Sequence, residues 1–349
     1  MSLMQVLSEI RMNTHGWQSP DGTTAVMLPH GGRILALYSP ESEENFFWTH
    51  PDLHSAQTAA AFYAGDWWHN SGGDRTWIAP EFEFFFPNYP LPEPYFQPRQ
   101  LDPGNFRLEP GAHHQASFVT EGALRMFAAS RTIHFTLRKT ISEARNPLRH
   151  LIWDPDLGLA YAGYTLRTAL NLNEPLPSPP VFAGIWNLLQ LPPGGQMIFA
   201  THSRATTIPY MGSISPRDLD ISNHAIRYKM SAVGENKLGI QAPYLTGRGA
   251  YLYGDADRSS LVIRNFWVNP SASYVDVPFG SSPDSACAAQ ACSIHSSLGS
   301  FSELEYHAPA FETLPGQSQC VDESQLWAFR GPQPAVLEAA RILVSAQLR

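Results

Sequence analysis

Along most of the chain, apolar and polar positions alternate with a period of two, the pattern of strands with one face buried. TTAVML (23–28) and RILALY (33–38) flank PHGG, which reads as a hairpin turn, and ENFFWT (44–49) follows as another strand segment. The pattern continues through QASFVT (115–120), LRMFAASRTIHF (124–135), TLRKTIS (136–142), YTLRTALNL (164–172), GIWNLLQL (184–191) and QMIFAT (196–201). Later strands are AIRYKMSAV (225–233), GAYLYG (249–254), SLVIRNFWV (260–268), FSELEYHAP (301–309) and SQLWAFR (324–330). Only the end has helical spacing, where Pro334 opens a helix through AVLEAARILVSAQL with proline at its first position. Strand following strand without alternating helices predicts an antiparallel all-β fold with a short C-terminal helix.

Proline punctuates this pattern. Residues 87–104 (PNYPLPEPYFQPRQLDPG) and 173–180 (NEPLPSPP) are too rich in proline for central strands and read as ordered surface loops. No internal repeat or low-complexity tract divides the chain. The MSL before a second methionine reads as a cloning remnant, and residues 4–349 read as one domain.

Composition narrows the function. Hydrophobic residues make up 43% of the 349, enough for a sizeable core, while charged residues are only 15%, against about 25% in a typical globular domain. The net charge of -8 argues against nucleic acid or an anionic membrane as partner. Cys287, Cys292 and Cys320 form neither a disulfide framework nor a metal-ligand spacing, so no metal and no cofactor is expected. The start lacks a basic region followed by an apolar run, and no apolar run approaches ~18 residues, so the expected location is the cytoplasm. Phosphate-loop, dinucleotide, nucleophile-elbow and H-E-x-x-H motifs are all absent from the sequence.

Two segments carry candidate chemistry. In DWWHNSGGDRTWIAPEFEFFF (66–86), aromatic residues crowd against hydrogen-bonding groups around a Gly-Gly turn. Trp67, Trp68 and Trp77 suit the apolar C–H face of a pyranose, and Asn70, Asp74, Arg75 and His69 suit its hydroxyls. The stretch TWIAPEFEFFF reads as one strand, which puts Glu81, Glu83 and Phe85 on one face and Phe82, Phe84 and Phe86 on the core side. Each tryptophan by itself reads as core, and Asp74 with Arg75 as a turn ion pair; the density of the cluster is what points to a site. The second segment is FSELEYHAPAFETLPGQS (301–318), where alternation puts Glu303, Glu305 and His307 on one strand face. That face reads equally as a solvated exterior or as an acid–base surface, with repulsion raising the pKa of one carboxyl. Asn187 in GIWNLLQ and Lys237 in ENKLGI complete the candidate set. The expected partner is a small-molecule carbohydrate.

AVMLPHGGRILALYSPESEENFFW resembles the opening strands of the aldose 1-epimerase (galactose mutarotase) superfamily. FSELEYHAPAFETLPGQSQ resembles its late glutamate strand and the L-P-G turn after it. WHNSGGDRTWIAPE resembles a segment of uncharacterised bacterial relatives. The resemblance spans about residues 24 to 330 and implies a large antiparallel β-supersandwich with a sugar site on a concave sheet. It also implies acid–base interconversion of sugar anomers, with Glu305 matching the family's base and Glu303 its neighbour. The family's general acid is a histidine in an N-H-x-Y-F-N motif; the corresponding GIWNLLQ has none, leaving His69 or His307 as stand-ins. The missing histidine favours a non-catalytic sugar-binding protein on the same scaffold. A glycoside hydrolase or lyase using two carboxylates, such as Glu81 with Glu305, is a further alternative.

Overall fold

The computed structural model describes residues 1–151, 158–231, 233–314 and 318–345. In chain order its strands are β1 (His15–Gln18), β2 (Thr24–Leu28), β3 (Arg33–Tyr38), β4 (Asp74–Ala79), β5 (Arg107–Pro110), β6 (Ala116–Met126), β7 (Arg131–Glu143), β8 (Ala160–Asn173), β9 (Phe182–Leu191) and β10 (Gln196–Thr201). They continue as β11 (Thr207–Met211), β12 (Leu219–Ile221), β13 (Ala225–Lys229), β14 (Asn236–Ile240), β15 (Leu245–Gly254), β16 (Ser259–Asn265), β17 (Ala289–Ser296), β18 (Gly299–His307), β19 (Phe311–Glu312) and β20 (Gln319–Gly331). Two ten-stranded sheets result. One runs β1-β2-β3-β4-β9-β18-β17-β14-β11 with β19 beside β9; the other runs β12-β13-β10-β15-β16-β20-β8-β7-β6-β5. Every described strand pairing is antiparallel, as the alternating sequence predicts.

The sheets pack face to face over one apolar core that draws Ile34 and Ile185 from the first sheet and Phe135 and Leu326 from the second. Helices cover parts of the outer faces. Helix α4 (Gln333–Leu343) lays Val336, Ala339, Ala340 and Leu343 against Leu261, Ile263 and Phe329 of the second sheet. Helices α1 (Leu3–Glu9) and α2 (Ala56–Ala64) cover β2 and β3 through Val6, Leu7, Ala59 and Phe62. This leaves the outer face of β4, β9, β18, β17 and β14 free of helices except at one edge, and the site lies there.

The elements depart from the sequence pattern in several places. Residues 44–49 form no strand, although Phe46, Phe47 and Trp48 are buried. The TWIAPEFEFFF strand stops at Ala79. Pro80 has no N–H for a sheet ladder, and the chain turns there into a one-turn helix, α3 (Glu81–Phe84). Helices α1 and α2 carry no strand alternation, and the period-two pattern does not predict them; α2 is capped by the Ser55 side chain, which accepts from Thr58 N, and α1 by Ser2, which accepts from Gln5 N. Helix α4 begins at Gln333, one residue before Pro334, and the end of its predicted span (346–348) lies outside the described residues. So do Ala232 and the Pro315–Gly316 turn. Residues 87–104 form the loop their prolines predict.

Gly72 and Gly73 set where β4 begins. Both have positive φ, +100° and +75°. A Cβ on Gly73 would come within 2.4 Å of Ile34 O, and one on Gly72 within 2.3 Å of Trp48 O. Gly73→Ala should therefore lower stability by at least about 1–3 kcal/mol, read as a fall in the urea midpoint at unchanged slope.

Candidate functional site

Strand register assembles the site. Across the sheet, Lys237 pairs with Cys292, Cys292 with Glu303, and Glu303 with Gln190. One row along, Gln290 pairs with Glu305, Glu305 with Leu188, and Leu188 with Arg75. The next row holds His307, Trp186 and Trp77. Because strand side chains repeat every two residues, all three rows share the outward face. Helix α3 and the proline-rich loop rise over this face and enclose a pocket of about 430 Å³ lined by Arg75, Trp77, Glu81, Lys237, Glu303 and Glu305, among others. That volume lies within the roughly 300–1,000 Å³ range of small-molecule sites.

The pocket floor is a set of buried ion pairs. Arg75 Nη2 lies 2.8 Å from Glu303 Oε1, which also accepts from Gln190 Nε2 at 3.0 Å. The Arg75 guanidinium sits over the Trp77 ring, 4.3 Å from its centroid. Lys237 Nζ lies 3.0 Å from Glu305 Oε2 and 4.8 Å from the Trp186 ring centroid. Glu305 Oε2 accepts a second bond, from Trp186 Nε1 at 2.9 Å, while its Oε1 is buried with no hydrogen-bond partner among the described residues. Burial pushes the Glu305 carboxyl up to about 7; Lys237 pulls against that rise and Glu303 adds to it. Burial also opposes the charge on Lys237, but Glu305 and Glu81 outweigh it and hold the ammonium above its ordinary range.

Glu81 enters from the rim. Its backbone N–H donates to Asp276 Oδ1 at 2.9 Å, which fixes the start of α3, and its Oε1 accepts from the Tyr95 hydroxyl at 2.8 Å. Burial raises the Glu81 carboxyl, Lys237 lowers it and Asp276 raises it again. Asp276 is fully buried, and its other oxygen accepts from Gln290 Nε2 at 2.6 Å.

Of the residues singled out in the sequence, Trp68, Arg75, Trp77, Glu81, Lys237, Glu303 and Glu305 come together in the pocket. Six others do not line it. Asp74 and Asn187 point to the opposite face, into the space between the sheets. There Asp74 pairs with Arg264 and Tyr164, and Asn187 accepts from Thr76 Oγ1 at 2.6 Å. Asn70 is buried and spends its amide on Leu298 O at 3.1 Å. Trp67 is 60% exposed, with its edge toward His69. His69 sits under α2, where its Nδ1 is 3.0 Å from His30 Nε2 and its Nε2 3.1 Å from Gly65 O. His307 shares the strand face of Glu303 and Glu305, but Trp186 stacks on it at 5.5 Å and shields it. Among the described residues, both its ring nitrogens lack hydrogen-bond partners, and burial, then Lys237, pushes its pKa well below the usual value. The two histidine stand-ins therefore lie outside the pocket. Glu83 also leaves the expected face: the helical turn carries it away from Glu81, and its Oε2 accepts from Ala129 N at 2.9 Å.

Sequence reasoning missed Tyr95, Tyr210, Gln290 and Asp276. The alternation in AQACSIH that puts Gln290 on the side of Cys292 could have found one of them. Asp276 lies in an irregular segment and carries no pattern at all. Donor atoms of Cys292, Glu303 and Glu305 lie within 4.8 Å of one another. They make a poor metal cage, because Arg75 and Lys237 already neutralise the two carboxylates, and burial holds the thiol of Cys292 well above its usual pKa.

No protein-family profile and no curated protein matches the chain. Among solved structures, the chain is similar to a galactose mutarotase related enzyme from Lactobacillus acidophilus, with a TM-score of 0.48 and 9% identity over 90% of this chain and 96% of that one. It is also similar to an aldose epimerase homologue from C. elegans, with a TM-score of 0.41 and 10% identity over 91% and 98% of the two chains. A galactose 1-epimerase from Lactobacillus acidophilus NCFM has a TM-score of 0.41 and 8% identity over 91% and 94%. Likeness at such identities and scores carries no information on activity. Among the described residues, no helix is long and apolar enough to cross a membrane.

Proposed function

We propose that the pocket takes a reducing sugar and interconverts its anomers by acid–base chemistry. The observation that carries this reading is Glu305: buried at the pocket floor, held through one oxygen by Lys237 and Trp186, and with a pKa raised to about 7. A carboxylate with that pKa takes and returns a proton near neutral pH, as a general base must. Glu81, whose carboxyl burial raises above its ordinary range, is the group at the pocket rim that serves as the acid in place of a histidine.

The cycle balances within the pocket. Glu305 takes the proton of the anomeric hydroxyl, the C1–O5 bond breaks with its electron pair moving to O5, and O5 takes a proton from Glu81. The open-chain carbonyl rotates about C1–C2. O5 then attacks the other face of C1, its proton returns to Glu81, and O1 recovers a proton from Glu305. Trp77 and Trp186, 3% and 1% exposed, back the floor behind Arg75 and Lys237, and an apolar sugar face packs on the more exposed rings of the lining.

The test is anomer exchange by saturation-transfer NMR across a panel of common aldoses as a function of pH. Glu305 must be ionised to act, so the rate should rise about tenfold per pH unit below 7 and level off above it. Absence of exchange above background for every aldose, together with detectable binding, would leave the non-catalytic sugar-binding protein as the function.

A further inference from the structure

The pocket has two zones, and the reaction proposed above uses only one. Arg75, Lys237, Glu303 and Glu305 have side chains no more than 9% exposed and form the floor. Phe82, Phe86, Tyr95 and Phe279 line the same pocket, but Tyr95 is 38% exposed and the three phenylalanines are half-buried, so they form its mouth. Phe86, Phe279 and Tyr95 make a continuous wall. Phe86 and Phe279 lie 4.7 Å apart between centroids, and Phe86 and Tyr95 5.2 Å. The Tyr95 hydroxyl is anchored inward on Glu81, which leaves the ring at the opening.

Charge restricts what can fill the mouth. The two lining cations are both engaged, Arg75 with Glu303 at 2.8 Å and Lys237 with Glu305 at 3.0 Å. The charged groups on the exposed part of the lining, Glu93 and Glu235, are acidic. A phosphate or carboxylate placed at the mouth would meet like charge there. An apolar carbohydrate face would meet a row of aromatic rings.

We infer that the ligand is a neutral reducing sugar carrying a second ring, a disaccharide or longer chain, whose reducing unit sits on the ion-paired floor and whose next ring packs on the wall at the mouth. The orientation rests on the acid–base reading of Glu305; the preference for two rings rests on the wall alone.

The experiment measures binding by saturation-transfer NMR and titration for D-glucose, D-galactose, cellobiose, maltose, lactose and glucose 6-phosphate. At least one disaccharide should bind about tenfold or more tightly than its reducing-end monosaccharide, and glucose 6-phosphate more weakly than glucose. In Phe279→Ala, and in Phe279→Leu, which keeps apolar bulk, the disaccharide-to-monosaccharide ratio should drop to about threefold or less. Because each ratio is taken within one variant, a loss of folded fraction cancels. No disaccharide preference in the wild type, an unchanged ratio in both variants, tighter binding of glucose 6-phosphate, or binding of none of these sugars would overturn the inference. Glu305→Gln separates the two readings: exchange should vanish while the disaccharide preference in binding persists. A preference without exchange in the wild type would remove the reaction and keep the two-ring ligand.

Discussion

Glu305→Gln should lower the rate of anomer exchange by about 10²–10⁴-fold, the usual loss when a general acid or base is removed. The variant should fold. The glutamine side chain keeps an oxygen to accept from Trp186 Nε1 and Lys237 Nζ, which stand 2.9 and 3.0 Å from Glu305 Oε2. The change in charge is modest as well, because with a pKa raised to about 7 the carboxyl is already partly protonated at neutral pH. Its folded pKa lies above the unfolded value of 4.5. Ionisation therefore disfavours the fold, increasingly from about pH 4.5 to pH 7 and fully above that range. The Gln variant escapes this dependence, so its melting temperature should hold up better than that of the wild type as pH rises to 8. A variant that melts normally and exchanges anomers at the wild-type rate would remove Glu305 as the base. Glu303 is the neighbouring carboxylate, but Arg75 and Gln190 both bond its Oε1, at 2.8 and 3.0 Å, and tie it in place.

Strand parity made much of the site legible. It set Glu303, Glu305 and His307 on one face of β18, and the register then brought Lys237 and Arg75 to the same floor. Parity also contained a constraint that the candidate set ignored. Asp74 and Arg75 are neighbours in one strand, so only one of them can face the pocket; Trp186 and Asn187 do read as opposite faces of their strand, and the set took Asn187. Arg75 and Trp186 face the pocket; Asp74 and Asn187 face the other sheet. Burial was not legible in this way. The β18 carboxylates alternate as an exposed face would, yet Glu305 is only 1% exposed, because α3 and the loop after it cover a sheet far away in sequence. The EFEFFF run mimics strand alternation, but the chain had already left the sheet at Pro80, and alternation carries no information after such a break. Helix α2 could have been read from its Ser55 cap and its run of alanines. Asp276, which pins Glu81, lies in coil, where no periodicity points to a partner.

Asp74→Ala should cost about 3–5 kcal/mol of stability, more than any other single change considered above. Asp74 and Arg264 are 0% and 1% exposed and pair across the gap between the sheets, joined by the Tyr164 hydroxyl on Asp74 and by Ser324 Oγ, 3.2 Å from Arg264 Nη1. Burial opposes the charge on Arg264, and Asp74 outweighs it and holds the guanidinium above its ordinary range. Removing Asp74 strands that charge in a low-dielectric layer, which is where the loss arises. The double variant Asp74→Leu/Arg264→Met removes both charges and fills the gap with apolar side chains. Replacements of this kind are often neutral or stabilising, so most of the loss should be recovered, read as urea midpoints at a common slope. Equal losses in the single and double variants would show that stability depends on the pair itself and not on the charge left behind. Sugar binding should not recover with stability. Asp74 precedes Arg75 on β4, and its bond to β16 fixes the height of that strand against the opposite sheet, and with it the aim of Arg75 at Glu303. The double variant should therefore fold as firmly as the wild type and bind its sugar less well, separating the buried pair's role in positioning the floor from its contribution to stability.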